Sequence, residues 1–299
     1  MAWSVLQSNG ASNDTFGGAG PNVAYLSNLS AGTKLIAVVT GGSVVSSVKD
    51  GALNSFTKII SLGLNGNTAN GESSVWAMDT PAGDVGTKPT ITATEAPSGS
   101  IVIQEVSGLA PGNTLAAMID GTASTNSGSF NANGSVACGA YSSAAAGEYL
   151  LAVEADSQNS TPSGSTTANP TGSTTYTKDA HAQTANFIWD AVPAYGNSTG
   201  GAETASFGIT GVNSATSWAT FLVAFKLDSG APPIRAKANP GLARKMNRKF
   251  THDRIPKRAT FPNQQPVPDL TAGNLNPWQQ TVSGRRGPGA AESTRATYT

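Results

Sequence analysis

A chain of 299 residues has room for one large β domain or two modest ones. Charged residues make up only 12 % and aromatics 7 %, with 34 Gly, while a hydrophobic content of 38 % is enough to build a core, which excludes global disorder. Net charge is zero and Cys138 is the one cysteine, so neither an intramolecular disulfide nor a multi-cysteine metal site can form.

In chain order, the start Met1-Ala2-Trp3-Ser4 lacks the basic residues and apolar run of a signal peptide, and no stretch approaches about 18 consecutive apolar residues. The expectation is a protein made in a cytoplasm, not exported by a signal peptide and spanning no membrane.

Apolar runs of strand length then recur between turns. They are Lys34–Val39, Phe56–Leu62, Ser74–Met78, Pro89–Ala93 and Ser100–Val106, followed by Glu148–Val153, Ala185–Trp189, Ala205–Ile209 and Trp218–Phe225. Gly41-Gly42, Asn65-Gly66, Asn70-Gly71, Pro97-Ser98-Gly99 and Asn133-Gly134 punctuate them. Short strands at such spacing predict an all-β antiparallel sandwich. Ser135–Tyr141 reads as a strand with Cys138 as a small core group. Trp218–Phe225 does not alternate, which predicts a central strand covered on both faces. Ser157–Thr177 carries no large apolar side chain before Tyr176 and is expected to be a long surface loop.

The zero net charge conceals a division. Residues 1–230 carry 6 Lys and Arg against 15 Asp and Glu, a net −9, and residues 231–299 carry 12 against 3, a net +9. Such asymmetry predicts a domain joined to an interaction tail of opposite sign. The boundary falls at Asp228-Ser229-Gly230-Ala231-Pro232-Pro233, where a Gly and two prolines end a strand and begin an extended linker.

The runs Leu35–Val39, Val48-Lys49-Asp50-Gly51, Phe56-Thr57-Lys58, Ser74–Met78 and Ile101–Leu109, with Tyr149–Val153 and Ser217–Phe225, resemble a jelly-roll-type β-sandwich module. It is the module of minor tail and other surface structural proteins of long-tailed bacteriophages, especially those of actinobacteria, and of some bacterial surface proteins. The resemblance covers roughly residues 30–227 and rests on strand patterns. It implies a jelly-roll-like domain and a place in the virion, and it carries over no catalytic residue.

In the C-terminal segment Asn239–Phe250 reads as a helix, over about 240–251. Asn239 can cap it, Pro240 suits its first turn, and Leu242, Met246 and Phe250 form one apolar edge beside Arg244, Lys245, Arg248 and Lys249. A helix of about three turns needs something to pack on. Beyond Arg254, prolines prevent regular structure, while Phe261, Leu270, Leu275, Trp278 and Tyr298 are spaced as anchors. Leu242, Arg244, Lys245, Met246, Arg248, Lys249, Phe250, Arg254, Phe261 and Trp278 are therefore the expected docking residues of an assembly arm.

Signals for catalysis are thin. The two histidines, His181 and His252, lie far apart in sequence, and no Gly-x-Ser-x-Gly elbow, His-Glu-x-x-His pair or Walker-type loop occurs. A glycosidase needs two carboxylates, and Glu105, Asp120 and Glu154 in or near apolar runs are the ones to suspect, with surface solvation the plainer reading of each. Asn13-Asp14-Thr15 and Asn65-Gly66-Asn67 lack the spaced carboxylates of a calcium loop and read as turns. Trp76, Trp189, Tyr195 and Trp218 could stack on sugars if exposed, but their apolar settings favour the core. Basic residues from Arg244 to Arg258 could meet phosphate, yet lack the interleaved aromatics of a single-strand binder.

The sequence thus predicts a jelly-roll-like β-sandwich over residues 1–229 and a Pro-rich basic arm over residues 230–299. The expected role is that of a non-enzymatic virion protein, a minor tail or tail-tip component. A capsid decoration or minor capsid protein is the alternative, and a carbohydrate-binding host-adsorption module is an alternative of another class. Expected partners are other virion subunits and further copies of this chain in the particle, with a host surface glycan as a further candidate. No cofactor, metal, membrane or nucleic-acid partner is expected.

Overall fold

The computed structural model describes residues 2–13, 20–94, 98–158, 166–167, 170–180, 182–183, 188–210 and 215–230, all within a compact unit that spans Met1–Pro233. The expected arm helix and all ten docking residues lie outside the described residues.

Among the described residues the chain is predominantly β, and every ladder between its strands is antiparallel. The first half contains β1 (Ser4–Asn13), β2 (Asn22–Ala24), β3 (Lys34–Gly41), β4 (Ser47–Lys49), β5 (Thr57–Gly63), β6 (Glu72–Asp79), β7 (Thr90–Thr94) and β8 (Gly99–Ser107). They form a five-stranded sheet, β1-β8-β3-β6-β5, and a three-stranded sheet, β2-β7-β4. A one-turn helix, α1 (Leu115–Met118), follows.

The second half contains β9 (Ser124–Phe130), β10 (Gly134–Ala137), β11 (Tyr141–Ala144), β12 (Tyr149–Gln158), β13 (Thr166–Thr167), β14 (Thr171–Gly172), β15 (Thr177–Lys178), β16 (Ala182–Gln183), β17 (Ile188–Asn197), β18 (Gly201–Glu203), β19 (Ala205–Thr210) and β20 (Thr216–Phe225). Its large sheet runs β9-β20-β12-β17, with β15 and β16 both on the outer side of β17. Its small sheet runs β10-β19 with β13 and β14 on β19, and β11 pairs with β18.

The pairings nest in the same way in both halves. In the first half β1 meets β8, β2 meets β7, β3 meets β6, and a bridge Lys49↔Ser55 joins the end of β4 to the start of the β5 segment. In the second half β9 meets β20, β10 meets β19 and β12 meets β17.

Three apolar layers hold the two large and the two small sheets together. Leu35, Ala37, Val39, Trp76, Ile101 and Ile103 of the first large sheet pack with Val23, Val48, Ile91 and Ala93 of its small sheet. On the other face Ile36, Val38, Val75 and Val102 meet Leu151, Val153, Phe221 and Val223 of the second large sheet. That sheet's far face packs Leu150, Ala152, Val192 and Leu222 against Val136, Phe207 and Ile209. The large sheets are thus covered on both sides, which is why β3, β12 and β20 read as continuous apolar runs and not as alternating ones.

Two expectations change. Ser157–Thr177 is not a loop throughout: β12 runs to Gln158, and Thr166–Thr167 and Thr171–Gly172 pair with β19, because β-branched Thr suits an extended ladder even without apolar neighbours. Where one sandwich is expected, two pairs of sheets lie back to back, since each large sheet buries both of its faces.

Candidate functional site

Alternation along β12 decides what its two faces carry. Tyr149, Leu151, Val153 and Ala155 point toward the first half, while Leu150 and Ala152 point toward the second small sheet. Continuing the second row by twos brings Glu154 and then Asp156 onto the same face. In register, Asp156 stands opposite Asp190 of β17 and Trp218 of β20, and Glu154 stands opposite Val192 and Thr220. An apolar interlayer therefore turns acidic at the rows of Glu154 and Asp156.

Glu154, Asp156 and Asp190 each have 0 % of their surface exposed. One carboxylate oxygen from each lies within 4.8 Å of the others. Both oxygens of Asp156 are buried without a hydrogen-bond donor. Burial raises its pKa well above the ordinary carboxylate range, and the charge of Asp190 raises it further. A buried carboxylate without a donor is costly unless a proton or a cation neutralises it.

The carboxylates singled out in the sequence are placed differently. Glu105 is 1 % exposed, not solvated. Its oxygens accept from Gln7 Nε2 at 2.6 Å, Ser30 N at 2.7 Å and Thr33 Oγ1 at 3.0 Å, so it pins β1 and the segment before β3 to β8. Following the alternation of Ile101 and Ile103 it faces the first small sheet, whereas Glu154 faces the second. The fold does not bring them together as a glycosidase pair. Glu154 is likewise buried and not a surface group, because its strand is covered on both faces. Asp120 is half-buried.

Of the aromatic candidates, Trp76 is 4 % exposed in the first interlayer, and Trp189, Tyr195 and Trp218 are half-buried against the cores. Asn65 and Asn67 serve a turn: Asn65 adopts φ 52° and Asn67 Oδ1 accepts from Ala69 N. His181, His252, Asp14 and Thr15 lie outside the described residues.

Cys138 is buried, and its thiol donates to Phe221 O at 3.2 Å. The sequence alone points to Glu154 but not to Asp156 and Asp190 beside it. The signal of the cluster was the Glu-x-Asp step inside an apolar strand, which puts two acids on one face; the partner 34 positions later becomes visible only through the β12–β17 register.

Comparison with protein-family models, with curated proteins and with solved structures finds no significant match to this chain. Among the described residues no helix is long and apolar enough to cross a membrane.

Proposed function

We propose that the chain is a non-enzymatic structural protein of a bacteriophage virion, a minor tail or tail-tip component, held in the particle by its basic C-terminal segment. The observation that carries this reading is the division of charge, a body of net −9 followed by 69 residues of net +9, which suits a body that faces solvent and a segment that lies on other subunits. Strand connectivity supports the jelly-roll part of the reading. The first half pairs first with last, second with seventh and third with sixth, the arrangement of two nested Greek keys, and the second half nests its pairings likewise, β9 with β20, β10 with β19 and β12 with β17. The resemblance of Leu35–Val39, Ile101–Leu109 and Ser217–Phe225 to the phage surface module gives the particle as the setting.

The test is localisation in intact particles by cryo-electron microscopy with mass-spectrometric copy counting. A few copies at the tail end are expected, and absence from particles overturns the reading. Tens to hundreds of copies on the shell would instead assign a decoration role. A chain ending at residue 230 should fold and fail to be incorporated; normal incorporation would overturn the role of the basic segment.

A further inference from the structure

We propose that Glu154, Asp156 and Asp190 hold a calcium ion between the two sheets of the second half. Three fully buried carboxylates present oxygens within 4.8 Å of one another, and Asp156 is aimed into their midst with neither oxygen accepting a hydrogen bond. A protein interior satisfies nearly all of its buried polar groups. A group this well enclosed and left without a donor marks a ligand that the chain itself does not supply.

The first half shows how the fold treats one acid at the corresponding place. Aligning β3 and β12 at their first residues sets the cross-strand pair Gly41↔Glu72 on the pair Asp156↔Asp190. Glu72 is buried there and answered by Lys58, whose Nζ stands 3.3 Å from its carboxylate. The second half gathers three acids at this place and leaves Asp156 unanswered.

The donor set selects the ion. All three groups offer hard oxygens, which suit calcium, magnesium or manganese and not softer metals. Cys138 shares the interlayer, but its thiol is protonated and donates to Phe221 O, so it adds no soft ligand. Calcium binds oxygen at about 2.3–2.6 Å, giving a coordination sphere about 4.6–5.2 Å across, whereas magnesium at about 2.0–2.1 Å needs a tighter cage and keeps most of its water. Three carboxylates within 4.8 Å of one another in a dry interlayer suit the ion that gives up its water the more readily, which is calcium.

The full chain, stripped with EDTA, serves for the test. Calcium should raise the melting temperature by about 5 °C or more at a hundredfold excess over its dissociation constant, and magnesium should do less at equal concentration. Terbium should bind in place of calcium and luminesce on excitation of tryptophan, since Trp218 stands opposite Asp156 and Trp189 precedes Asp190. Asp156→Asn should abolish both responses, and in EDTA it should melt above the parent chain because one of three repelling carboxylates is gone. Asp190→Asn gives an independent check. Equal melting in EDTA and calcium, with no terbium luminescence, would overturn the site. A calcium response undiminished in both variants would place the ion elsewhere on the acidic body and overturn the assignment equally.

Discussion

Gly71 lies directly against the indole of Trp189, so that the two halves of the body touch with no side chain between them. A Cβ on Gly71 would stand 2.8 Å from Trp189 Cη2 and 2.6 Å from Gly41 O, and the residue holds φ at +102°. The indole is fixed by its Nε1, which donates to Ser98 Oγ at 3.1 Å, and by Ser100 Oγ, which donates to the Trp189 carbonyl. Neither the ring nor the Gly41 backbone can yield cheaply. Gly71→Ala combines overpacking with a disfavoured φ and should cost about 2 kcal/mol or more. Urea unfolding would measure the loss, and a change under about 0.5 kcal/mol would show that the halves adjust freely at this contact.

Tyr149 is the polar counterpart of that contact. It is fully buried between the large sheets, with Trp3 edge-on at 4.8 Å and Phe225 at 5.9 Å. Its hydroxyl donates to Gln104 Oε1 at 2.7 Å, and the Gln104 amide donates in turn to Asp179, which also accepts from Ser8. Tyr149→Phe keeps the ring and strips Gln104 Oε1 of its donor. Leaving a buried acceptor unsatisfied costs about 1–3 kcal/mol, so the variant should unfold at lower urea with an unchanged m value. The double variant Tyr149→Phe with Gln104→Leu should not recover the loss, because Asp179 then loses the Gln104 amide as a donor.

These two sites show what was legible in the sequence and what was not. The strands β3, β6, β8, β12, β19 and β20 announce themselves as apolar runs because they lie at the centres of their sheets. Strand β1 does not, since Ser4–Asn13 is an edge strand whose residues are mostly half-buried. Strand β17 shows only its start, in the run Ala185–Trp189, and its remainder hides for another reason. Pro193 argues against a central strand, yet Pro193 O accepts from Asp179 N, so its missing N–H faces away from β12, at the gap between β15 and β16. The β12–β17 ladder loses nothing. The same concealed strand carries Asp190, and without its register Glu154 and Asp156 read as two solvated acids.

Cys138 offers a check on the third interlayer. Its thiol is pushed up to about 12, chiefly by burial. Thiol reagents attack the thiolate, so at pH 8 both the ionised fraction and access are small. Ellman's reagent should leave the native protein unlabelled over hours and titrate one thiol at once in guanidinium. Prompt labelling under native conditions would mean that the second small sheet lifts from its partner readily.

Asp84 should give the body a pH-dependent stability. One of its oxygens is buried without a donor, and burial first, then the neighbouring Asp50, raises it from 3.8 to about 6. Asp50 is held in place by Ala52 N, Asn54 N and Asn54 Nδ2, so it cannot turn away. Because the folded value lies above the unfolded one, the folded state keeps a proton between about pH 4 and 6 that the unfolded chain has released. The Asp84 contribution to stability is therefore lost as pH rises through that window and is flat above it. Asp84→Asn removes the charge while keeping a donor for Asp50. The variant should match the parent near pH 4 and exceed it at pH 7, as melting curves across the range would show; a parent chain whose advantage over the variant grows with pH would reverse the assigned sign.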